Sequence, residues 1–220
     1  MKFLLFFSYS SVLRSAAENN CFEIVNILLP FAGNKIKKEE FSKCKKLTEI
    51  SIPSNIKNIG DSAFSDCISL KKITISSSVI LIGENAFYGC TKLEFIDLPS
   101  TLKKINNCLF YKCSSLREIQ IPSSVTVIEN KSFGFCSGLT KIVIPPSVTK
   151  IGSAAFDECI LLERITLPNS LLEIGQYAFR GCIALKQIDI PSSVTKIKEG
   201  AFCACETLSQ IKIPESVTEV

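Results

Sequence analysis

Apolar residues recur along this chain with a fixed period. Phenylalanine returns every 23 residues, at Phe41, Phe64, Phe87, Phe110, Phe133, Phe156, Phe179 and Phe202. A cysteine follows three residues after each, from Cys44 to Cys205, and a leucine three after that, from Leu47 to Leu208. An Ile column (Ile50 to Ile211) and an Ile/Leu column (Ile52 to Ile213) come next. Proline closes the run in seven of eight units, with Ser76 as the exception. A period of this length marks a solenoid of stacked supersecondary units.

The columns predict the elements of each unit. In L-x-x-I-x-I the last two apolar residues are two apart, which is strand alternation. Proline then ends the strand because it cannot donate to a ladder. Ser or Thr stands eight residues after each Leu (Asn55 in the first unit), where a side chain can satisfy turn backbone groups. Phe, Cys and Leu at spacings of three fit a helical turn returning along the other side. Gly60, Gly83, Gly152 and Gly175 precede that turn and are expected to supply positive φ. The predicted class is α/β, with a parallel β-sheet on one face of a solenoid and short helical turns on the other.

These columns resemble the leucine-rich repeat, L-x-x-L-x-L-x-x-N-x-L. They are more similar to its 23-residue BspA-like subtype, as in IPPSVTKIGSAAFDECILLERITLP (residues 144–168). The resemblance covers residues 41–220; its departure from the general repeat is Ser/Thr where most such repeats carry Asn. It implies a right-handed β–α solenoid working by protein–protein contact, of the kind found in surface antigens and adhesins of bacteria and protists. The implied ligand is a host or extracellular-matrix protein.

Residues 1–40 lie outside the repeat and have two readings. One is a signal peptide, with Lys2, the apolar run Phe3–Phe7 and the small residues Ser15-Ala16-Ala17, although Ser8, Ser10, Ser11 and Arg14 interrupt the pattern. The other is a helical cap on the first unit. Between Ala16 and Asn34, Phe22, Val25, Leu28 and Leu29 share a helical face. That stretch resembles the helix pair of an ankyrin repeat, without its T-P-L-H start. No run reaches the ~20 apolar residues of a membrane span. The chain stops mid-unit at Val220, so a longer repeat protein is also expected.

Composition narrows the chemistry. Apolar residues make up 46% and charged residues 21%, a globular balance. The net charge of +4 does not by itself suggest nucleic acid. Histidine is absent, so Ser-His-Asp and Cys-His constellations are too. No phosphate-cradling glycine motif occurs. No enzyme activity or cofactor is expected. Of eleven cysteines, eight share the column between Phe and Leu and read as buried thiols. Disulfides between units are conceivable at a spacing of about 4.8 Å, but a uniform column offers no unique pairing. Zinc lacks both C-x-x-C and His. Cys21, Cys108 and Cys203 lie off the column, Cys203 near the surface. Asn130-Lys131-Ser132 is a lone glycosylation sequon.

The remaining strand positions are predicted to face outward. They lie one, two and four residues after each Leu and carry seven basic and six acidic residues. Mixed signs disfavour a phosphate backbone and favour a protein surface. The candidate partner-binding residues are Lys72, Phe95, Asp97, Arg117, Glu118, Lys141, Val143, Arg164 and Lys186. Phe95, Arg117, Val143 and Arg164 are the expected anchors; Phe95 is the one aromatic in these slots, and packing on the Lys72 stem is its plainer role. A rival surface carries Tyr88, Tyr111 and Phe135. The expected location is the cell surface or the secreted state, with an intracellular scaffold in the cytoplasm as the alternative.

Overall fold

A computed structural model describes residues 9–219. The predicted signal-like run Phe3–Phe7 lies outside the described residues. Helices α1 (Tyr9–Glu18) and α2 (Phe22–Leu28) come first, and a 3-10 turn (Leu29–Phe31) follows. Beyond them the chain winds into rungs, as the columns predict.

The rungs supply strands to two parallel stacks. In chain order the strands are β1 (Lys35–Ile36), β2 (Glu49–Ile52), β3 (Asn58–Ile59), β4 (Lys72–Ile75) and β5 (Leu81–Ile82). Then come β6 (Phe95–Ile96), β7 (Lys104–Ile105), β8 (Val127–Ile128), β9 (Lys141–Val143) and β10 (Lys150–Ile151). The last are β11 (Arg164–Thr166), β12 (Glu173–Ile174), β13 (Gln187–Asp189), β14 (Lys196–Ile197) and β15 (Gln210–Lys212). The first stack comes from L-x-x-I-x-I and pairs β2–β4–β6, β9–β11 and β13–β15. The second comes from V-x-x-I and pairs β1–β3–β5 and β7–β8–β10–β12–β14. Register is one repeat throughout: Ile50 faces Ile73, and Ile151 faces Ile174.

The third side is the turn segment around Phe. Overlapping turns bond Ser65 N to Ser62 O and Cys67 N to Phe64 O. Positive φ recurs at a spacing of four, with +54° at Ser62 and +57° at Asp66. Alternate N–H groups point out of the rung. Ser62, Phe64 and Asp66 donate to Glu84 O, Ala86 O and Tyr88 O of the next rung, at 2.7–2.8 Å. This side is a ladder in its own right. Its donors point toward the C-terminal end, while Gly83 N in the second stack donates backward to Ile59 O.

Side-chain ladders tie the rungs together inside. The eight Phe rings form one continuous stack with centroids 5.1–5.7 Å apart. Each column thiol from Cys67 to Cys205 donates to the Phe carbonyl of the rung before, at 3.0–3.2 Å. The thiols are thus buried, as expected, and are also weak donors. The Ser column behaves likewise: Ser78 Oγ donates to Ile56 O at 2.9 Å and Ser170 Oγ to Val148 O at 2.7 Å. These hydroxyls bond the preceding rung.

Gly60, Gly83, Gly152 and Gly175 differ from expectation. None has positive φ. They are glycines because neighbouring backbones close on them. A Cβ on Gly175 would lie 2.5 Å from Gly152 C, and one on Gly60 2.6 Å from Lys38 N.

The N-terminal edge is covered by groups that match its polarity. On the turn side, outward carbonyls receive the Arg14 guanidinium: Glu39 O at 3.0 Å, Glu40 O at 3.3 Å and Ser42 O at 2.8 Å. On the first stack, outward N–H groups find carboxamide oxygens. Thr48 N donates to Asn20 Oδ1 at 3.1 Å and Ser51 N to Asn26 Oδ1 at 3.2 Å. Asn55 donates to Pro30 O and Gly33 O. Val25 and Leu29 are fully buried, as the helical face predicts, while Phe22 and Leu28 are half-buried.

Candidate functional site

The outward slots are where the alternation puts them. Lys72, Phe95, Asp97, Arg117, Glu118, Lys141, Val143, Arg164 and Lys186 are all exposed, while the Ile residues between them are buried. Phe95 is 50% exposed and Val143 65%. Phe95 and Lys72 are register partners on β6 and β4. Arg164 faces Lys141, and Thr166 faces Val143. Glu118 is committed to Lys141 at 3.0 Å. Arg117, Arg164 and Lys186 have no ion-pair partner among the described residues. Two adjacent cations on neighbouring strands repel, and Glu118 offsets only one of them.

The first stack is interrupted at this site. The first stack has no strand between β6 and β9, so Arg117 and Glu118 sit on a rung without a regular ladder there. Thr140 N still reaches Arg117 O at 3.1 Å. The Phe stack, the thiol ladder and the turn-side ladder pass through unbroken. The candidate anchors thus stand on a continuous core beneath an uneven sheet.

A hollow at the N-terminal end of this face has no signature in the repeat columns. Phe22 and Asn26 of α2 close it against Glu49, Ser51, Lys72 and Thr74. Only packing of α2 beside β2 creates it. The rival aromatic row also exists. Tyr88 and Tyr111 stack at 5.2 Å, Phe135 meets Tyr111 edge-on at 5.3 Å, and Lys112 Nζ lies 5.6 Å from the Tyr111 ring centre. All three rings are half-buried and pack on one another. Burial, then the neighbouring Tyr88, pushes the Tyr111 phenol up.

Reactive chemistry is sparse. Burial pushes the Cys44 and Cys205 thiols up to about 11 and the column between them well above 9.0, so thiolates are suppressed. Burial also raises the half-buried Cys108. Cys203 is exposed and Cys21 half-buried. Among the described residues no group of three or more His, Cys, Asp or Glu could hold a metal ion, and no helix is long and apolar enough to cross a membrane.

Comparison with known proteins bears on the repeat. The family model for the BspA type leucine rich repeat region, in six copies, matches residues 12–140 and 128–220. A leucine-rich repeat protein of Bacteroides ovatus superposes with a TM-score of 0.74 at 34% identity, over 77% of this chain and 46% of that one. This chain therefore spans about half of that relative. The leucine-rich repeat protein of T. pallidum gives a TM-score of 0.71 at 34% identity, over 79% of this chain and 82% of that one. A comparison with curated proteins found no match. From the 23-residue columns, the stacked parallel strands and these matches, the chain belongs to the BspA-type leucine-rich-repeat family.

Proposed function

We propose that this protein is a recognition module that binds a protein ligand on its first sheet face, with Phe95, Arg117, Val143 and Arg164 as anchors. One observation carries the reading. Along the strands the buried positions hold nearly the same residues in every rung, whereas the exposed positions between them differ freely and include two large apolar groups, Phe95 and Val143. Unpaired Arg beside exposed aromatic and aliphatic groups suits a protein interface. Lys72, Asp97, Glu118, Lys141 and Lys186 form the polar rim. A cell-surface or secreted setting, with a host or matrix protein as ligand, agrees with the family resemblance.

The test is binding of the full chain to a panel of extracellular-matrix proteins by surface plasmon resonance. A saturable ligand should lose at least about tenfold in affinity when Phe95→Ala and Arg117→Ala are combined. Unchanged affinity for every ligand found would place the site elsewhere. The intracellular scaffold is favoured by one observation, eleven unbridged cysteines. Labelling of intact cells with a membrane-impermeant reagent separates the two: a labelled protein supports surface display, and a protected one supports the scaffold.

A further inference from the structure

Three apolar side chains stand in solvent along one side of the N-terminal helical segment. Ile24 is 47% exposed, Ile27 67% and Phe31 75%. Their spacing of three and four places them on one stripe. On the opposite side Val25 and Leu29 are fully buried. A helix apolar on both sides is ordinarily covered on both; among the described residues this stripe has no cover.

The protein's surplus charge lies beside it. Between Lys35 and Lys46 there are six lysines and two glutamates, and the rest of the chain balances at nineteen basic against nineteen acidic residues. The whole net charge of +4 therefore comes from these residues. All six lysines are exposed. Four of them bracket the helical segment. Lys45 and Lys46 lead into Thr48, whose N–H and hydroxyl both donate to Asn20 just before α2. Lys35 and Lys37 line a hollow with Tyr9, Ala32 and Glu40, just after the 3-10 turn, and Lys37 Nζ donates to Ser10 Oγ at 3.0 Å. Lys38 meets Glu39 only at 3.9 Å.

We propose that this end of the molecule docks on the surface of an anionic bilayer. Ile24, Ile27 and Phe31 enter the headgroup–acyl boundary, and the lysines at either end of the segment face lipid phosphates. Charge and size decide between occupants. A second copy would bring its own lysine cluster against this one. A stable protein interface needs on the order of 800 Å² per partner, far more than three side chains on one short segment offer. A bilayer requires only a few inserted apolar groups with positive charge around them. The attachment is peripheral, and it leaves the sheet face free, so it stands apart from the ligand-binding reading.

Vesicle flotation of the full chain tests this. The protein should float with phosphatidylcholine vesicles containing about a quarter phosphatidylserine, and stay behind with phosphatidylcholine alone. Ile24→Ser, Ile27→Ser and Phe31→Ser together should abolish flotation. Lys35→Gln, Lys37→Gln, Lys45→Gln and Lys46→Gln together should weaken it at least tenfold, since each lysine near the surface contributes about fivefold. All of these side chains are exposed, so both variants should melt with the parent. The proposal is overturned by no flotation with phosphatidylserine vesicles, by equal flotation with phosphatidylcholine, or by binding that survives the triple substitution. Loss of a protein ligand in the triple variant, without flotation of the parent, would make the stripe a protein dock and also overturn it.

Discussion

Alkali should unfold this protein well before it ionises the lysines, and the thiol column sets the size of the effect. Six column thiols, from Cys67 to Cys182, are fully buried, and burial holds each well above its ordinary 9.0. In the unfolded chain they ionise near that value. A group whose folded pKa is raised contributes stability that is fully present below the unfolded pKa and is lost as pH rises toward the folded one. Between about pH 8 and pH 10 the unfolded chain loses close to one proton per thiol while the folded chain keeps them, a cost of a little over 1 kcal/mol each. Six thiols together cost about 8 kcal/mol, comparable to the whole stability of an ordinary domain at about 5–15 kcal/mol. Cys44 and Cys205, held at about 11, add to the loss with the same sign. Urea unfolding at pH 8, 9 and 10 under reductant, followed by circular dichroism, measures the loss. Cys136→Ala should remove about one eighth of the slope between these pH values. A midpoint that stays flat over this range, or thiolate absorbance that rises while the protein is still folded, would refute the argument.

Three further perturbations follow from the packing. Arg14→Ala leaves three edge carbonyls without their charged donor; because the side chain is 39% exposed, the cost is discounted to about 2 kcal/mol. Hydrogen exchange at Glu39–Lys43 should rise first, and protection equal to the parent's would show that the contact stabilises nothing. Gly175→Ala drives a Cβ into the backbone at Gly152, so overpacking should cost about 1–3 kcal/mol in thermal unfolding, whereas a relief of chain entropy would predict a gain. Arg180→Ala strands the buried Asp157, which accepts both its bonds from Arg180 at 2.7 Å; the expected loss is about 2 kcal/mol, and Arg180→Ala with Asp157→Ala should recover part of it in a double-mutant cycle.

The repeat columns were legible because each buried side chain meets its own copy in the next rung, so one residue type solves every level. Alternation then identified the outward slots by subtraction, and all nine candidate residues are exposed. The second stack was hidden. Its strands are two residues long and bury a single Ile each, so no alternation exists to detect. The turn-side ladder was hidden for another reason. Its positive φ falls on residues as different as Ser62, Lys131 and Tyr177, which carry no common signature. Glycine misled because two physical causes favour it; here the cause was a neighbouring backbone and not φ. Arg14 read as an obstacle to a signal sequence, and only folding brings it to carbonyls 25 to 28 residues away.

Every ladder in the core connects a residue to a partner at a constant distance in sequence, 26 positions for the thiols and 22 for the serines. Rung boundaries are consequently interchangeable. Excising residues 133–155 would set Phe156 on Phe110 and hand Cys159 the carbonyl that Cys136 uses now. A loss of 22 or 24 residues would leave every donor one position out of step. Recombination between such units can thus lengthen or shorten the protein in whole rungs without redesigning its interior. A rung gained or lost between the floors of Phe95 and Val143 would also change the spacing of these two side chains, so ligand specificity could shift by the number of floors between them while both stay as they are.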